Sequence, residues 1–268
     1  MIALALPAAN EEGFVAPTLE EMHLPEILPW GAEYGEGFGK QMLLILLSVA
    51  LISWFFIAAA RKRQLVPGRL QFLGEFSYNL VRNSIGRDII GEKDFRPFVP
   101  LLFSLFFFIL LNNLWGSIPL AQLPTTSHVG TAYALAAIVY FTWIILGIKK
   151  HGIKYFKYAT VPSGVPVFIL PLVVLIEIIS TFLVRPITHS LRLFATMLSG
   201  HLIIMLAASG TEFLLLEAEG LLKPLGALTL VGGVGMFLFE VLIQCLQAYV
   251  FTLLTAIYIQ GSVAAAEH

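Results

Sequence analysis

Five apolar runs of membrane-spanning length fix what this chain can fold into. They fall at about residues 41–60, 98–118, 129–148, 163–210 and 221–261. At about 1.5 Å per residue, roughly twenty residues cross a hydrocarbon core about 30 Å thick. The last two runs are too long for one upright helix, since 45 residues would stretch about 68 Å. Each is therefore either a pair of crossings or one strongly tilted helix. Charge placement decides between these. Basic residues gather at 61–69, 82–96 and 149–157, whereas acidic segments without Lys or Arg sit at 11–36 and 212–219. With one crossing per run, every basic cluster falls on one side, which the positive-inside rule makes cytoplasmic. The sequence thus predicts an all-α polytopic membrane protein of about five crossings, N-terminus outside and C-terminus cytoplasmic. Residues 41–268 form its single transmembrane domain.

Outside the crossings, residues 1–40 read as an extracytoplasmic segment, acidic and mostly irregular, with Pro17, Pro25 and Pro29 among its glutamates. The opening MIALALPAAN is too short to span and has no basic residues before its apolar stretch, so it is not expected to be a cleaved leader. Residues 68–97 carry Leu70, Leu73, Phe76 (or Ser77) and Leu80 at helical spacing among many charges, which predicts an amphipathic helix along the membrane surface. The whole chain is 58% hydrophobic and 12% charged, far below the charged share of about a quarter in soluble domains. Net charge is −1, so no nucleic-acid footprint is visible. The single cysteine, Cys245, lies in an apolar run and reads as a small core residue without a disulfide partner.

Within the fourth run stands Arg192. An arginine at membrane depth costs about 3 kcal/mol on insertion scales, and on the order of 10 or more for an isolated helix in simulation. It persists where it faces protein, water or a counter-charge. Residues three, four and seven away share its helix face: Ala195, Thr196 and Ser199 forwards, Thr188, His189 and Arg185 backwards. Small residues permit close approach by another helix, so this stripe predicts a partner surface rather than lipid. Arg185 has the simpler reading of a salt-bridged or snorkelling cation. Glu177, fifteen positions earlier, lies about 22 Å along the same helix, toward the cytoplasmic end, with Ser180 and Thr181 beside it.

In the last run Glu240, Gln244 and Gln247 recur at i, i+4 and i+7, a polar face in apolar surroundings. Glu240 must be protonated or paired at that depth. If the two long helices form a hairpin, His201, on the side away from Arg192, reaches a similar depth and is the candidate partner. Gly232, Gly233 and Gly235 are the candidates for close packing of that hairpin. A His–Glu pair in a membrane suits proton relay. It is also a rival start for a metal site, although two ligands are too few. The sequence holds no P-loop, HExxH or GxSxG pattern, so neither nucleotide binding nor intramembrane hydrolysis has a motif. A stand-alone secondary transporter or channel is the remaining alternative, and the internal repeat common in transporters is absent.

The stretches LPLVVLIEIISTFLVRPITHSLRLFATMLSGH (170–201) and FEVLIQCLQAYVFTLLTAIYI (239–259) are similar to the F-type ATP synthase subunit a family. The likeness extends over most of the chain and points to bacterial members. It implies two offset proton half-channels beside a ring of c subunits, with the last two helices as a tilted hairpin against that ring. It also implies the peripheral-stalk subunit b and the rest of the complex as partners, a bacterial cell membrane location, no cofactor, and no catalysis by this chain. By position, Arg192 matches the family's arginine facing the ring and Gln247 its last-helix glutamine. His201 and Glu240 match a pair whose acid and imidazole exchange places among members. Glu177 with Ser180 matches the cytoplasmic half-channel, and Asn113 the polar residue of an earlier helix. Thr196, with Ala195, stands where the family usually has Gly-Asn, and Gly116 where some bacterial members have an acid. Gln244 completes the set through the polar face it shares with Glu240.

Overall fold

The computed structural model describes residues 39–61, 64, 67–118, 124–161, 168–217 and 223–264. The acidic segment 11–36, Lys62, Arg63 and Glu219 lie outside them. The described residues hold helices and no strand. Helix α1 runs Lys40–Arg61 and ends on its basic residue. Helix α2, Arg69–Asn79, continues as a π-helical stretch over Leu80–Ile90. Helix α3 is Val99–Leu114, with short 3-10 turns at either end. Helix α4 is Val129–His151 and α5 is Lys154–Thr160. Helix α6, Leu170–Ile178, passes through a π stretch, Ile179–Val184, into α7, Arg185–Glu212. Helix α8 is Lys223–Val263.

Five of these helical units are long and apolar enough to cross a membrane: Lys40–Arg61, Arg96–Ser117, Val129–His151, Leu170–Leu216 and Lys223–Val263. Both overlong runs are thus single continuous helices, of 47 and 41 residues. They pack against each other as a hairpin, and α8 packs further on α3 and α4. The core lies where these four helices meet, around Leu102, Ile109, Val139, Leu193, Phe251 and Ile259. Alternation fails as a guide here because most of the apolar surface faces outward, as lipid-facing residues do. Leu228, Val231, Leu238 and Leu242 on α8 are all exposed.

The helix expected over 68–97 stops at Ile90, where Gly91 takes a positive φ of 97°. Only its first half presents an exposed apolar face, through Leu70, Leu73 and Phe76. Its second half buries Val81, Ile85 and Ile90 in the core beneath α3 and α8. Close helix approach also differs from the sequence expectation. A Cβ at Gly232 or Gly235 would meet nothing, and one at Gly233 would make ordinary contact with Ala207 at 3.6 Å. The hairpin closes instead at Gly200 and Gly226, where an added Cβ would lie 3.3 Å from Glu240 and 2.8 Å from Leu215. Cys245 is exposed rather than in the core, because it lies off the buried Gln244–Gln247–Ala248 side of α8. At the other end of α8, Tyr155 Oη lies 3.1 Å from Ser262 Oγ, and His151 Nε2 lies 3.2 Å from the Val263 carbonyl. These contacts tie α4 and α5 to the end of α8.

Candidate functional site

Arg192 projects from an exposed face of α7 shared by Thr188, Ala195 and Ser199. The hydroxyls there turn back to their own helix. Thr188 donates to the Val184 carbonyl at 2.8 Å, Thr196 to the Arg192 carbonyl at 2.7 Å, and Ser199 to the Thr196 carbonyl at 3.3 Å. None of them neutralises the guanidinium. Among the described residues, no carboxylate forms an ion pair with Arg192. His189, counted on this stripe by spacing, is instead buried, its ring stacked on Phe251 of α8 at 3.8 Å.

Glu177 sits at the α6 end of the same continuous helix, and Arg185 Nη2 lies 3.5 Å from its Oε1. Thr181 donates to the same oxygen at 3.1 Å. Eight positions on an ideal α-helix are about 80° out of line. The intervening π stretch, with its wider turn, brings the two side chains together. Arg185 also lies 5.9 Å above the Tyr258 ring. Arg185 is therefore the static, paired cation, and Arg192 is not. Ser180 is half-buried in the π stretch.

Across the hairpin, Glu240, Gln244 and Gln247 are all buried. Glu240 Oε1 accepts a hydrogen bond from Gln244 Nε2 at 3.2 Å, and Gln244 Oε1 accepts one from Ser117 Oγ at 2.8 Å. His201 is buried at similar depth, but no hydrogen bond or ion pair joins it to Glu240 among the described residues. The reason is angular. Gly200 faces Glu240, and His201 is one position, about 100°, further round α7. His201 Nδ1, Glu240 Oε2 and Gln247 Nε2 each lack a partner among the described residues. Between Thr196, Ser199, Gly200, Met236 and Glu240 lies a cleft of about 120 Å³, which connects the exposed face to the carboxyl group. A second space of about 400 Å³ continues along the hairpin past Ile204 to Thr211 and Glu212.

Asn113 is fully buried and donates to the Gln244 carbonyl at 3.4 Å, while its Oδ1 accepts from Thr126 Oγ1 at 2.5 Å. Its neighbour Asn112 accepts from Thr125 at 2.6 Å and from Ser48 at 3.2 Å. Trp115 Nε1 donates to Ser48 Oγ at 2.7 Å. Ser117, Thr125, Thr126 and Ser48 thus extend the polar set, and sequence reasoning missed them. Their only signal is a cluster of hydroxyls flanking the two adjacent asparagines. No three His, Cys, Asp or Glu side chains come together as a metal site among the described residues.

A model of the ATP synthase A chain family matches residues 42–260. Over all 268 residues the chain is 66% identical to the ATP synthase subunit a of Pseudarthrobacter chlorophenolicus, covering the whole of both chains. It is 67% identical to that of Paenarthrobacter aurescens, again over both whole chains. The subunit a of Streptomyces lividans is 43% identical over 94% of this chain and 89% of its own.

Proposed function

Because this chain belongs to the ATP synthase A chain family, we propose that Arg192 is the fixed cation past which the carboxylates of a c-subunit ring travel. The family couples transmembrane proton flow to ATP synthesis, and this chain is its membrane-embedded proton-channel subunit. The observation that carries the role of Arg192 is its isolation, an exposed guanidinium on a face cleared to small residues and without a carboxylate partner.

The mechanism follows from electrostatics. A proton enters from the outer side along Asn113, Gln244, Glu240 and His201, with Gln247 and Thr196 lining the approach to the ring. It protonates a ring carboxylate, which then turns into lipid uncharged. A ring carboxylate arriving from the other side meets Arg192, which favours its ionised form. The released proton leaves toward the cytoplasm past Ser180 and Glu177. The fixed cation also repels a proton hopping straight between the half-channels. Each charge crossing about 150 mV supplies roughly 3.5 kcal/mol. Rotation carries that energy to a catalytic head, so the chemistry of ATP lies outside this chain. The basic ends of α1 and α4 support a topology with the N-terminus outside and the C-terminus in the cytoplasm of a bacterial cell. The α7–α8 hairpin faces the ring, and the peripheral-stalk subunit b holds the chain still against it.

Arg192→Ala in the assembled complex, reconstituted in sealed vesicles, tests this reading. ATP-driven acidification should vanish while assembly persists. Coupled pumping near the wild-type rate would make Arg192 a structural cation and reopen the stand-alone transporter reading.

A further inference from the structure

We infer that the rings of Phe251, His189, Tyr258, Trp143 and Phe182 form an aromatic septum that closes the interior of the subunit between its two polar paths. This rests on the half-channel reading above and adds a barrier on a different face of α7. The rings form an unbroken series across three helices and the π stretch. His189 stacks on Phe251 at 3.8 Å and 29°, and meets the edge of Tyr258 at 5.6 Å. Tyr258 lies 6.4 Å from Trp143, which stacks on Phe182 at 6.0 Å and 24°.

The position of this series gives it its meaning. On its outer side, along the buried face of α8, come Gln247, Gln244 and Glu240. On its cytoplasmic side comes Glu177, whose partner Arg185 lies over the Tyr258 ring, between Phe182 and His189 along the helix. Both polar sets belong to the half-channels, and the rings are what separates them inside the chain. Arg192 lies on the exposed face and cannot interrupt a path on the buried one. A file of water joining the two sets would let protons bypass the ring, so that the gradient would dissipate without rotation.

His189 is the one member with hydrogen-bonding capacity on both edges, yet neither ring nitrogen has a partner among the described residues. No hydrogen-bonded chain of described protein groups therefore passes through it. Its charged neighbours on α7 are Arg192, three positions on, and Arg185, four positions back, and the titratable group facing it from α8 is Tyr258.

The test uses the whole complex in sealed vesicles, with a pH-sensitive dye inside. Phe251→Ala and His189→Ala open the septum, Phe251→Leu refills it, and His189→Gln keeps bulk while adding a flexible polar group. Passive proton leak should rise severalfold in both alanine variants and in His189→Gln. Acidification should fail while ATP hydrolysis continues, and Phe251→Leu should stay tight. If an alanine variant does not assemble, the His189→Gln result alone decides. Assembled variants that hold a proton gradient as long as wild-type overturn the septum. If they stay tight while Arg192→Ala abolishes pumping, only the septum fails. If Arg192→Ala pumps normally, the half-channel reading itself fails.

Discussion

Gly200 is where a single methyl group reaches the Glu240 carboxyl. An ideal Cβ there lies 3.3 Å from both Cγ and Cδ of Glu240 and 3.4 Å from its Oε1. Alanine would be tight by a few tenths of an ångström, and its better helix propensity, about 1 kcal/mol over glycine, offsets that crowding. Valine adds two methyl groups against the same carboxyl. Overpacking of this kind costs about 1–3 kcal/mol. The easiest relief is for Glu240 to swing away, which breaks its 3.2 Å hydrogen bond from Gln244. Without that bond the buried carboxyl and amide are left unsatisfied, at a cost of about 1–3 kcal/mol. Expressed in the proton-transfer step, at about 1.4 kcal/mol per tenfold, this slows transfer by roughly 5- to 100-fold. The assay is the initial rate of ATP-driven acidification in proteoliposomes, normalised to assembled complex. Gly200→Ala should stay within about twofold of wild-type, whereas Gly200→Val should fall at least about fivefold. Equal rates for the two, with equal assembly, would refute the claim that Glu240 works from the position Gly200 leaves open.

Two further outcomes follow from contacts away from Arg192. In Gly147→Val the new side chain would overlap the buried Tyr155 ring and displace its hydroxyl from Ser262. The purified complex should lose about 1–3 kcal/mol, read as a lower thermal midpoint for this subunit's dissociation. Ser117→Ala removes the donor to Gln244 Oε1 at 2.8 Å, and a loss of about 1 kcal/mol should slow acidification by about fivefold with ATP hydrolysis intact.

Much of this architecture was legible because a bilayer punishes ambiguity. Run length and basic clusters alone indicated one helix each for 163–210 and 221–261, and spacing alone found the Glu240–Gln244–Gln247 face. What spacing cannot give is which neighbours of a helical residue are buried. His189 and Ala195 both flank Arg192 by count, yet one stacks under Phe251 and the other is exposed. The Glu177–Arg185 pair escaped notice because eight positions match no α-helical contact, and the π stretch that aligns them has no periodic signature. The His201–Glu240 depth match was visible, but the 100° between His201 and Gly200 decides contact, and that needs the hairpin's rotation. Ser117, Thr125 and Thr126 sit in short turns, where hydroxyl residues are ordinary and carry no pattern.

The exposed cation on α7 has a consequence for how the subunit is made. In a bare bilayer the Arg192 face would meet acyl chains, at a cost of about 3 kcal/mol or more. Thr188, Thr196 and Ser199 donate to their own backbone, and their neutral oxygens carry no charge to balance the guanidinium. A freshly inserted chain therefore has an unfinished surface that protein, water or a counter-charge must complete. Such a chain should be short-lived on its own, tilting or thinning the lipid around it, and an easy target for membrane proteases. The same charge would thus serve as a check on stoichiometry, because copies made in excess of their neighbour would be the ones removed.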